Sequence, residues 1–90
     1  MLEEIRNFVA VVQAGSFTRA AEELNSARSV ISKRLSQLER QLGVRLLNRT
    51  TRRLSLTEAG ERFYQECSVS LSGIDAAVDE VRSLNQEPRG

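Results

Sequence analysis

Ninety residues are enough for one small domain around a single modest core. The composition is 40% hydrophobic but only 4% aromatic, so leucine, valine, isoleucine and alanine must fill that interior. With no histidine and a single cysteine, Cys67, the chain excludes an internal disulfide and the usual zinc, acyl-transfer and thiol-protease constellations.

No carboxylate or lysine pair is placed for acid–base work, so the chain reads as not an enzyme, with no cofactor or metal expected. One thiol is compatible with a reducing compartment. No apolar run approaches the ~20 residues a bilayer span requires, and the N-terminus lacks a secretory pattern. The expected location is cytoplasmic, away from any membrane. The net charge of +1 conceals an asymmetry. Residues 28–53 hold eight cations against the single anion Glu39, whereas the remainder holds five cations and eleven anions. A basic middle between acidic ends suggests a polyanionic partner such as nucleic acid.

Residues 2–14 form a predicted helix with Leu2, Ile5, Phe8, Val9 and Val12 on one side, ended by Gly15. Ser16-Phe17-Thr18 offers a capping residue, and residues 19–24 make a short second helix. Its paired Ala20 and Ala21 allow the close approach that a helix-turn-helix requires. Asn25-Ser26-Ala27 has about the length of the turn in that motif. In residues 28–42, Ile31, Leu35, Leu38 and Leu42 recur at the period of a helix face packed on a core. The opposite face carries Ser29, Lys33, Ser36 and Arg40, flanked by Arg28, Ser32 and Arg34. Gly43 can take the left-handed conformation that stops a helix. Small hydroxyl residues permit close approach and cations reward a polyanion, a combination the DNA major groove admits. Alone, the same pattern fits a solvated amphipathic helix; the neighbouring segments favour DNA.

Residues 44–49 and 53–56 are strand candidates joined by Thr50-Thr51-Arg52, with Leu54 and Leu56 alternating with Arg53 and Ser55. A two-stranded ribbon with arginines near its tip is a wing, although such a hairpin can equally be a solvated turn. Thr57 then caps a long helix with acidic residues in its first turn. Tyr64, Cys67, Leu71, Ile74, Val78 and Val81 repeat at alternating spacings of three and four, a coiled-coil seam. A helix of ~30 residues extends ~45 Å, more than so small a domain can cover. Part of the seam is therefore expected to pack on a second copy, the alternative being a helix folded back on its own domain. The predicted fold is mainly α: a winged helix-turn-helix of three helices and a two-stranded wing over residues 1–57, then a dimerisation helix over 58–87. Residues 88–90 read as the start of a hinge.

These segments together resemble the LysR-type transcriptional regulators. The resemblance is carried by Gly15-Ser16-Phe17-Thr18-Arg19-Ala20-Ala21-Glu22-Glu23-Leu24, by residues 31–39 and 42–52, and by Leu56-Thr57-Glu58-Ala59-Gly60, and it covers nearly the whole chain. It implies the DNA-binding half of a bacterial regulator that reads an interrupted palindrome in double-stranded promoter DNA. It further implies a homodimer through the long helix, tetramers in the full-length protein, and a small-molecule coinducer bound by an effector domain beyond the hinge. One departure stands out. The family usually leads into its recognition helix with Ser-Gln-Pro-Ala, where this chain has Ala27-Arg28-Ser29-Val30. Ala27 cannot cap through its side chain, so Ser26 or Ser29 is expected to do so and to shift the helix start. Arg28 in place of glutamine favours the O6/N7 edge of guanine over adenine.

The resemblance places Arg28, Ser29, Ser32 and Lys33 at base edges. Thr18, Arg19, Arg34, Thr51, Arg52 and Arg53 are expected on phosphates or, for Arg52, in a minor groove. Arg40 and Arg45 read as solvated or salt-bridged. The dimer interface is expected to use Tyr64, Cys67, Leu71, Ile74, Val78 and Val81, with Cys67 a small buried hydrophobe rather than a redox sensor. A protein-binding winged helix is the competing reading, but it has no need of so basic a middle.

Overall fold

A computed structural model describes residues 1–48 and 53–86. Its helices, in chain order, are α1 (Leu2–Ala14), α2 (Phe17–Glu23), α3 (Arg28–Leu42) and α4 (Glu58–Gln86). The class is mainly α, as the sequence predicts. The expected wing tip, with Thr51 and Arg52, and the expected hinge at 88–90 lie outside the described residues.

Helix α1 packs on the other three helices. Gly15 closes it in the left-handed region (φ 79°) and donates its N–H to the Val11 carbonyl. The inward face is rotated from the expected one: Phe8, Val9 and Val11 are buried, Ile5 and Val12 only partly, and Leu2 is exposed. Periodicity finds the face but not where the neighbouring surface stops.

Helix α2 starts two residues earlier than expected. Ser16 is extended, and its Oγ accepts the Arg19 N–H at 3.0 Å, which makes Phe17 the first helical residue. Asn25 then takes a left-handed φ of 53°, which asparagine tolerates better than most residues, and turns the chain into α3. The expected shift of the α3 start is not found. Ala27 itself occupies the cap without a side-chain bond, while the Ser26 hydroxyl donates to the Leu24 carbonyl. Ile31, Leu35 and Leu38 are fully buried and Leu42 partly so, and Gly43 (φ 72°) ends the helix.

The expected two-stranded ribbon shrinks, among the described residues, to one antiparallel bridge between Leu47 and Leu56. The bridge is closed by the Asn48 N–H on the Ser55 carbonyl and the Thr57 N–H on the Leu46 carbonyl, each at 3.0 Å. The Leu46 end of the bridge is closed from α3. Glu39 is buried, and its Oε2 accepts the N–H groups of Leu46 and Leu47 at 2.8 and 3.1 Å. The Leu46 amide, which would otherwise face Thr57 across the ribbon, is spent on a side chain, so the ladder stops at that end. Leu46 and Leu47 are both buried, which also breaks the alternation of a strand.

The start of α4 is tied to the same place. The Thr57 N–H bonds the Leu46 carbonyl at 3.0 Å, and its Oγ1 donates to the Arg45 carbonyl at 2.6 Å and accepts the Gly60 N–H at 3.0 Å. A Cβ at position 60 would collide with the Leu46 carbonyl, so only glycine allows this approach. Further along, Phe63 packs on Phe8 with ring centroids 5.8 Å apart, Leu71 is buried, and Tyr64 and Cys67 pack partly against the core. Arg6 bonds Asp75 at 3.3 Å, and past that point Val78, Val81 and Leu84 are exposed.

Candidate nucleic-acid interface

The buried face of α3 fixes what its other face must present. With Ile31, Leu35 and Leu38 pinned in the core, Arg28, Ser29, Lys33 and Arg40 are exposed, and Ser32 and Ser36 are half-buried at the flanks. Three of the four residues expected to read bases are therefore open to a partner, with Ser32 at the margin.

Helix α2 packs on α3 and brings Thr18 and Arg19, both exposed, beside the start of α3. A shallow groove of about 380 Å³ runs between Thr18, Glu22, Asn25 and Arg28. Across this corner the Arg28 guanidinium lies over the Phe17 ring, 5.9 Å from its centroid. The sequence gives no hint of that contact, because a cation and an aromatic eleven residues apart meet only once the turn is made.

Arg34 is held differently from its companions. Its guanidinium donates to Asn7 Oδ1 at 3.3 Å and lies 3.6 Å from a Glu3 carboxylate oxygen, which turns it toward α1. Asn7, buried, also donates to the Glu3 carbonyl at 2.7 Å. Arg45 is largely solvated, 4.0 Å from Glu39, and Arg53 is exposed. Sequence reasoning missed Asn7 and Glu39. A usable signal existed for Glu39, which follows Leu38 directly and Leu35 by four, on the flank of the buried face.

The seam residues of α4 divide. Tyr64, Cys67 and Leu71 pack against the chain's own core, whereas Ile74, Val78 and Val81 are 44%, 40% and 66% exposed. Partial burial, and then the nearby Glu66, push the Cys67 thiol up from its ordinary value, so it stays protonated at neutral pH, unlike a reactive cysteine. Among the described residues no cluster of acidic or thiol groups could hold a metal, and no helix is long and apolar enough to cross a membrane.

This geometry has close counterparts. The profile of a family described as "Bacterial regulatory helix-turn-helix protein, lysR family" matches residues 2–61. The chain is 47% identical over 88 residues to the transcriptional regulator CrgA of Neisseria meningitidis, covering 98% of this chain and 29% of CrgA. Among solved structures, the DNA-binding domain of BenM in complex with catB site 1 DNA superposes with a TM-score of 0.87 at 37% identity, covering 96% of this chain and 92% of that one. Full-length AphB, a virulence activator of Vibrio cholerae, gives 0.83 at 40% identity over 90% of this chain and 28% of AphB. The chain thus spans under a third of the length of CrgA and AphB. These relatives are named as regulators rather than enzymes, and the chain belongs to the LysR family of bacterial helix-turn-helix regulators.

Proposed function

We propose that the chain is the DNA-binding part of a transcription regulator, working in the bacterial cytoplasm as a homodimer on an interrupted palindrome in double-stranded promoter DNA. The outer face of α3 carries this reading: Arg28, Ser29 and Lys33 stand exposed opposite a fully buried stripe, inside a stretch with eight cations and one anion. The BenM complex supports it, since a domain of nearly the same fold is bound there to DNA. Arg28, Ser29, Ser32 and Lys33 read base edges, and Thr18 and Arg19 hold phosphates at the start of α2. Arg53, with Thr51, follows the backbone while Arg52 enters the minor groove. Arg34 reaches a phosphate only by leaving Asn7 and Glu3.

The exposed half of α4 pairs two copies, with Ile74, Val78 and Val81 between them and Tyr64, Cys67 and Leu71 holding each helix to its own domain. In a longer protein, residues 88–90 open a hinge to an effector domain that takes a small-molecule coinducer and permits tetramers.

The test is a titration of the chain on duplex DNA at several salt concentrations, with Arg52→Ala alongside. Each phosphate neutralised adds about 0.9 to the log–log salt slope. Sequence-preferring, dimeric binding that weakens steeply with salt and with the substitution is the expected result. A stable dimer that binds no DNA at any salt would refute the reading and leave the fold intact.

A further inference from the structure

We infer that Phe17 is a positioning residue for DNA recognition, its ring presenting the Arg28 guanidinium to the major-groove edge of a guanine. The inference rests on the proposed DNA reading and deepens it at one base pair. Arg28 is the first residue of α3, where a cation opposes the helix dipole, so helix stability does not account for it. Its guanidinium makes no hydrogen bond or ion pair among the described residues; it lies over the Phe17 ring at 5.9 Å. A cation–π contact attracts the charge of the guanidinium to the ring without using any of its N–H donors in a hydrogen bond. Those donors are what a bidentate acceptor meets.

The platform is itself fixed. Phe17 follows the Ser16 cap as the first residue of α2 and packs partly against the core, so the ring is held by the helix-turn-helix that docks α3. A long side chain already resting on a ring loses less rotamer freedom on binding than one waving in water. Two acceptors would suit such a fork, a guanine edge and a phosphate. The first turn of the second helix in a helix-turn-helix is the part that reaches base edges, which favours the O6/N7 pair of guanine.

The test starts from duplexes selected from a randomised pool by the ninety-residue chain. Each guanine of the selected site is replaced in turn by adenine and by 7-deazaguanine, and binding is titrated for wild type, Arg28→Ala, Phe17→Leu and Phe17→Tyr. Wild type is expected to lose about 5- to 150-fold at one guanine, the range for a good bidentate pair. Arg28→Ala should erase that preference. Phe17→Leu should cut it at least threefold while leaving preferences at other positions and the salt slope unchanged, and Phe17→Tyr should restore it. Should Phe17→Leu fail to fold by circular dichroism, Phe17→Met takes its place: it keeps the apolar bulk without a ring face, and should likewise cut the guanine preference at least threefold with the salt slope intact.

Three results would overturn the inference. One is Phe17→Leu weakening every duplex equally with the guanine preference whole, which would mean a packing role. Another is Arg28→Ala lowering the salt slope by about one with no change in preference, the mark of a phosphate ligand. The last is wild-type binding that loses nothing at any guanine, which overturns the Arg28 contact and the platform with it; the DNA reading itself fails only if no duplex is bound at any salt.

Discussion

The two halves of α4 carry one continuous apolar repeat and meet opposite fates. From Gly60 to Leu71 the helix is fastened to its own domain, with glycine against the Leu46 carbonyl, Phe63 on Phe8 and Leu71 buried. From Ile74 to Val81 the same repeat stands in solvent, with Val81 66% exposed and Leu84 beyond it equally bare. The difference teaches that a heptad pattern specifies a sticky stripe and not its partner. The domain ends near Asp75, where Arg6 reaches across from α1, and whatever apolar surface continues past that point needs cover from elsewhere.

Substitutions can break or sharpen this division. Leu71→Ala removes a buried side chain from the anchored half and should lower unfolding stability by about 2–5 kcal/mol, read from denaturant melts. Gly60→Ala sets a methyl against a backbone carbonyl that cannot swing away, and an overpacking cost of about 1–3 kcal/mol is expected in the same assay. Val81→Ser should behave in the contrary way. Melts of the dilute chain should stay within about 0.5 kcal/mol, as for surface changes, while sedimentation should show dimerisation weakened about tenfold, roughly 1.4 kcal/mol. If Val81→Ser unfolds the chain as Leu71→Ala does, the two halves are not distinct.

The smallest effect concerns Cys67, whose thiol is held above its ordinary value of 9.0 by burial and then by Glu66. Since the folded state keeps this proton longer, its contribution to stability is full below the unfolded value and fades as pH climbs toward the folded one. A slight loss of melting temperature above about pH 9, absent in Cys67→Ser, is the expected observation, together with slow reaction toward thiol reagents at pH 7.

Much of this was legible from residue order. The buried face and C-terminal stop of α3 follow from Ile31, Leu35 and Leu38 and from Gly43, and the start of α4 from Thr57, whereas the cap of α3 at Ala27 did not. What stayed hidden was decided by single polar contacts between segments. Glu39 reads as one more surface charge, yet it takes two backbone N–H groups and closes the ribbon at its Leu46 end. Asn7 looks like a helix passenger and instead holds Arg34 against α1. Ser16 moved the start of α2 by accepting the Arg19 amide, where Thr18 offered a second hydroxyl for the cap. The candidate base-reading set was legible from the pattern of α3 and the family resemblance. The Phe17–Arg28 contact was not, because it depends on where a left-handed Asn25 aims the chain.

The junction at Gly60 has a mechanical meaning. Past Asp75, residues 76–86 of α4 project as a lever of about 17 Å, so each degree of play in the anchored half swings its tip by roughly 0.3 Å. In the proposed dimer that play becomes error in the separation of two reading heads, measured against a DNA repeat that does not adjust. The bare α-carbon of Gly60 lets the helix seat directly on the backbone of Leu46, with no side chain between them to act as a cushion. That direct seat, with Phe63 and Leu71 further along, sets the direction in which the free end leaves the domain, and a larger residue at position 60 is expected to spoil the gauge between half-sites even if the domain still folds.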